Sequence, residues 1–292
     1  MAAGAEMKLI LSRKGFDSTA GGKPSPIFPD GSMVSLPIPD RKSVLSYKDL
    51  RYDGQPLATI VTQLTGGKVP EHFRAHLDPD LAPDTLPRLR GWRPLFGQTG
   101  SAQSHLRNQG VGVGDLFLFF GLFRKIMMHN GFYTWNKSDR PRHVIWGWLQ
   151  VDEVLELAKG IPAGYYWAHY HPHCHRNNDS NNVLYVAREH LALADLPTER
   201  VPGGGIFRQY SPALQLTAPF SERATRWELP AWFHPAATRT ALTYHSDPKR
   251  WQTRDDHTLL QAVMQGQEFV LDCAEYPESM AWVDGLIRRQ SS

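Results

Sequence analysis

Cysteine is scarce. Only Cys174 and Cys273 occur in 292 residues, too few for a disulfide framework and in keeping with a reducing compartment. Long hydrophobic runs are missing as well: no stretch approaches the roughly 18 apolar residues of a membrane span, and the start lacks the charged-then-apolar order of a signal peptide. These absences lead to the expectation of a soluble, cytoplasmic protein with no membrane partner. A large excess of either charge is lacking too, with 32 Lys and Arg against 29 Asp and Glu. A net +3 with a pI near 8.8 permits nucleic-acid binding without demanding it, since domains built chiefly for phosphate contact are usually more basic. The sequence has no Gly-x-Ser-x-Gly elbow, phosphate-binding P-loop, dinucleotide fingerprint or Cys-x-x-Cys pair. The zinc-deaminase pairing of His-x-Glu with Pro-Cys-x-x-Cys is absent too. Each absence argues against the enzyme class that depends on that motif.

What the chain does have is histidine, thirteen in all, four of them at alternate positions: His169, His171, His173 and His175. In an extended backbone such a row projects from one face. It can then hold a divalent transition metal, carry protons, or hydrogen-bond phosphates and bases. The plainer reading is a polar, half-exposed loop. His171-Pro172-His173 is a spacing used by metal-ligand pairs, with Asp17, Asp179, His245 and Asp272 as candidates to complete the shell. The tract from Arg176 through Asn181 and Asn182 is almost wholly polar, and residues 183–187 (VLYVA) then read as a buried strand. Polar tracts between apolar strands often carry binding and catalytic groups.

The remaining pattern predicts a strand-rich α+β fold with short peripheral helices. Residues 1–6 read as a disordered leader, and 7–11 as a strand that runs into Ser12, Arg13, Lys14 and Asp17 at a sheet end. Proline and glycine punctuate the next forty residues and argue against a long helix there. Residues 66–112 form the least regular stretch, whose aromatic content favours an ordered loop packed over something. Residues 115–120 and 144–151 are expected to be adjacent buried strands. A short helix follows over 153–159, capped by Asp152, then strands over 214–217 and 267–272 and an amphipathic helix over 277–289. Basic residues lie beside aromatics and polar groups. Lys14, Trp92, Arg93, Arg124, Arg176, Asn181 and Asn182 are the candidates for nucleic-acid contact, because cations meet phosphates while aromatic faces stack bases. The Gly114-Asp115 turn, apolar strand, long hairpin and returning strand with central Gly147 resemble the small β-barrels of the PUA and EVE type. That resemblance implies recognition of modified or flipped bases.

Three segments carry a broader resemblance: residues 12–17 with 24–31; residues 114–121; and His171-Pro172-His173 with residues 181–187. Residues 229–233 and 266–270 agree with it. Together they resemble the nucleotide modification associated domain family, type three, across residues 7 to about 287. The resemblance implies a single domain over 7–292, association with systems that hypermodify DNA bases, a DNA or nucleotide partner, and other base-modification enzymes nearby. It assigns no reaction to any residue. Two functions follow from the residues. One is an enzyme acting on a nucleobase or nucleotide by acid/base or metal-assisted chemistry, with Arg13, Asp17, His171 and His173 as catalytic groups and the two histidines as metal ligands. The other is a PUA- or EVE-like reader that grips a modified base in DNA or RNA and catalyses nothing.

Overall fold

A computed structural model describes residues 7–17, 19–176, 179–193, 200–235 and 239–288. The leader expected over 1–6 lies outside them, as do Ser18, Asn177 and Asn178 of the polar tracts. Leu116, Phe117, Leu118, Phe119 and Phe120 have no exposed surface on either face, as a continuous apolar run requires of a central strand. They open the strand Leu116–His129, which is flanked by Lys8–Arg13 running parallel and Arg142–Glu156 running antiparallel. The expected neighbours are paired, with Gly147 opposite Phe119 and Gln150 opposite Leu116.

The nine-stranded sheet runs in the order Glu268–Asp272, Lys8–Arg13, Leu116–His129, Arg142–Glu156, Val183–Ala187, Leu95–Gln98. Three further strands, Ser25–Ile27, Phe132–Trp135 and Gly204–Ile206, pair along its sides. A separate three-stranded sheet (Arg226–Pro230, His257–Gln261, Trp251–Thr253) and the helices Leu57–Leu64, Gly100–Asn108 and Glu278–Arg288 complete a strand-rich α+β architecture. No described helix is long and apolar enough to cross a membrane. Both cysteines are free.

The two edges of the large sheet come together. Gln98, on the last strand, donates from Nε2 to Glu268 Oε1, on the first, at 2.6 Å, and Phe96 packs edge-on against Phe117 and Phe119 at 5.0 and 5.1 Å. The sheet is therefore coiled until its edges meet through side chains, without a backbone ladder between them. No sheet among the described residues closes into a barrel, so the PUA- or EVE-like barrel core does not follow from this topology.

Two local expectations are corrected. Residues 153–156 continue the strand Arg142–Glu156 and form no helix: Val154 and Leu155 pair with Tyr185 and Leu184. Cross-strand pairing overrides a weak local helix preference here, while Arg93 neutralises Asp152 and Glu153. Residues 214–217 form no strand either. Pro212–Leu214 is a 3-10 turn, and Gln215 and Thr217 make isolated bridges only.

Candidate functional site

Proline decides how the histidine row folds. Pro172 occupies the first position of the 3-10 turn Pro172–His175, so the backbone there is not extended and the alternation is lost. His171 and His173 turn inward, at 0% and 3% exposure, while His169 is exposed and His175 half-exposed. His173 packs over the strand Leu95–Gln98 at Gly97, where an added Cβ would sit 2.3 Å from the imidazole. Its Nδ1 lies 2.6 Å from Asn182 Oδ1, and the Asn182 amide nitrogen donates to the His173 carbonyl at 2.8 Å. The buried Asn182 thus fixes both the ring and its backbone.

The irregular stretch supplies the other half of the site. Asp78 is nearly buried, with a side chain 6% exposed, and three imidazoles surround it. His171 Nε2 is 3.4 Å from Oδ1, His173 Nε2 is 3.5 Å from Oδ2, and His76 Nε2 is 3.8 Å from Oδ2. The Gly97 N–H donates to Oδ1 at 2.7 Å. Burial alone would raise the Asp78 carboxyl, yet its imidazole neighbours hold it well below the usual carboxylate range. Burial lowers His171. Behind His76, Asp40 Oδ2 lies 2.9 Å from Nδ1, and that hydrogen bond brings Asp40 to about 2.

His76, Asp78 and His173 open onto a cleft of about 620 Å³ between the sheet edges, and Arg13, Lys14, Asp17 and Arg176 line the same cleft. Arg13, at the end of its strand, donates to the Gly266 carbonyl at 2.9 Å. Lys14 pairs with Glu268 at 2.9 Å and lies over the Phe96 ring. Asp17 Oδ1 caps its own turn, accepting from Thr19 and Ala20. The first turn of the helix Gly100–Asn108 forms one wall. Its N-cap hydroxyl, on Thr99, is turned to Asp179 and makes no capping bond. Gly100, Ser101 and Ala102 therefore face the cleft without a side-chain cap. At the rim Tyr244 and His105 lie 4.6 Å apart, ring to ring. Tyr244 holds a φ of +68°, a conformation uncommon for a bulky residue and worth attention where a site is near.

Other expected residues lie outside this cleft. His171 sits beneath it, against Asp78. Trp92 donates to Tyr170 and is covered by Arg88, Arg93 binds Asp152 and Glu153, and Arg124 donates to the Asn136 carbonyl. Asn181 ties the polar tract to the Gly100 carbonyl and Ser104. Of the groups expected to complete a histidine pair, His245 is buried elsewhere against Thr243 and Val263, and Asp272 caps Ala274. The carboxylate that does approach the histidines, Asp78, and its companion His76 were not among those candidates. Their one sequence signal is the spacing His76-Leu77-Asp78 before a proline.

These features define an α+β protein with a cleft lined by charges of both signs and floored by an imidazole–carboxylate centre. The chain belongs to the nucleotide modification associated domain 3 family, which it matches over residues 8–272. No curated protein and no solved structure matches it.

Proposed function

We propose that this protein is an enzyme that modifies a nucleotide or nucleobase in the cleft, within a single domain spanning residues 7–292. The observation that carries this reading is the convergence of charged groups of both signs and a buried, titratable centre in one cavity. Its volume, about 620 Å³, falls within the range of roughly 300–1,000 Å³ typical of small-molecule sites. Phosphate fits the end where Arg176 meets the uncapped first turn of the helix Gly100–Asn108, because free N–H groups and the helix dipole both favour anions. A base fits against Tyr244 and His105, whose rings offer a stacking face. Membership of the family supports a nucleotide or DNA substrate. A reader needs aromatic faces and a few hydrogen bonds. Burying three imidazoles around a carboxylate is a large desolvation cost for recognition alone.

The test is nucleoside mass analysis after incubating the protein with nucleotides, single-stranded DNA and duplex DNA, with candidate divalent metals and cofactors added. Wild type should produce a nucleoside of altered mass, and Asp78→Asn should not. Arg176→Ala removes an exposed cation and should raise KM on the order of tenfold, with kcat and Tm unchanged. Tight, salt-sensitive binding of modified DNA with every base left intact would instead identify a reader.

A further inference from the structure

The proton positions around Asp78 follow from the second nitrogen of each ring. His171 Nδ1 accepts the His173 backbone N–H at 3.4 Å, so a neutral His171 carries its proton on Nε2, facing Asp78 Oδ1. His173 is the opposite case. Asn182 is oriented by its amide donation to the His173 carbonyl, so its Oδ1 must be the atom 2.6 Å from His173 Nδ1. An amide oxygen only accepts, hence Nδ1 carries a proton, and in a neutral ring Nε2 carries a lone pair. His76 repeats this with the Asp40 carboxylate 2.9 Å from Nδ1. With both rings neutral, two imidazole lone pairs and Asp78 Oδ2 face one another with no hydrogen between them, 3.5 and 3.8 Å apart. Oδ1, by contrast, already accepts from the Gly97 N–H, with His171 Nε2 3.4 Å away.

We infer that His76 Nε2, His173 Nε2 and Asp78 Oδ2 bind one divalent first-row transition metal, with coordination positions open to the cleft. The three residues bring ligand atoms within 4.8 Å of one another. Ligands about 2.0–2.1 Å from a shared tetrahedral metal would lie roughly 3.4 Å apart, close to the 3.5 and 3.8 Å between Asp78 Oδ2 and the two imidazole nitrogens. The outer contacts match as well, since metal-bound histidines commonly give their other N–H to a carboxylate or carbonyl oxygen, here Asp40 and Asn182. Two nitrogens and one carboxylate oxygen with open sites suit iron(II) or zinc. His171, packed beneath with Nε2 3.4 Å from Asp78 Oδ1, is a positioning residue and not a ligand. Binding is read without turnover, so its failure is separate from failure of the enzymatic reading above.

The experiment is metal analysis of untagged full-length protein, followed by chelator stripping and titration with zinc(II), iron(II) and cobalt(II), the last followed by its visible absorption. One ion per chain is expected, with affinity reduced at least 100-fold in Asp78→Asn and on the order of 10–100-fold in Asn182→Ala. Circular dichroism and Tm show whether each variant is folded. His169→Ala combined with His175→Ala should leave the site intact, because both side chains lie outside it. Absence of stoichiometric uptake by folded, stripped wild type would overturn the assignment. So would retention by folded Asp78→Asn, or loss on removing the outer histidine pair.

Discussion

Replacing Gly97 with alanine is expected to lower kcat/KM on the order of 100-fold, the penalty of displacing a reacting group by about 1 Å. The substituted Cβ would approach three His173 ring atoms at 2.3, 2.4 and 2.8 Å. The ring cannot swing clear, because Asn182 grips its far nitrogen and the surroundings are buried. The strand Leu95–Gln98 is itself pinned by its pairing with Val183–Ala187. The overpacking should also destabilise the fold by about 1–3 kcal/mol. Gly285→Ala is the control, since it meets nothing within 4 Å in the helix Glu278–Arg288 and should stabilise by up to about 1 kcal/mol. Equal activity in Gly97→Ala and wild type would show that the position of His173 does not matter to function.

Acid should weaken the protein well before its carboxylates titrate. His143 is buried beside Phe120, accepts the Trp227 indole N–H at 2.9 Å, and has its pKa lowered from 6.5 to about 3 by burial first and by the Arg13 charge second, with Asp17 opposing. Burial likewise lowers His245 to about 4, helped by Arg250 and opposed by its bond to Thr243. A histidine depressed in the folded state takes up protons first in the unfolded chain. Its stabilising contribution is complete above pH 6.5 and is lost progressively as the pH falls toward the folded value. By pH 4.5 each should remove about 2–3 kcal/mol, and His171 acts in the same direction. Denaturant titrations between pH 7.5 and 4.5 measure this. His143→Gln, which keeps an acceptor for Trp227, should reduce the slope by one proton. An unchanged slope would mean that His143 is not held neutral.

Much of the sheet was legible in the sequence because continuous apolar runs leave a strand little alternative to burial. Leu116 to Phe120, 144–151, Val183–Ala187 and Glu268–Asp272 all declare themselves in this way. The strand extension over 153–156 was not legible, since its partner lies thirty residues on and its two acids look like a helix start. His171 and His173 stood out by spacing, but Pro172 turned a row of four into an inward pair and an outward pair. That burial changes the meaning of an alanine substitution. His171→Ala and His173→Ala remove packed side chains, so a lower Tm is expected alongside lost activity, and Asp78→Asn, near in size, is the cleaner probe. His76 and Asp78 stayed hidden because they sit in the irregular stretch 66–112, where no periodicity marks which polar residues turn inward. The helix Gly100–Asn108 begins with glycine and buries only Gln103 and Leu106, too little apolar pattern to signal itself.

The central claim is that a nucleotide occupies the cleft above the imidazole–carboxylate centre. Amide hydrogen exchange with and without nucleotide tests this most directly. Protection is predicted in peptides spanning 98–102, 173–176 and 266–268, which border the cleft from three sides. Protection confined to the separate groove lined by Arg140, Arg142 and the fully exposed Phe220, with those three segments unchanged, would contradict the account.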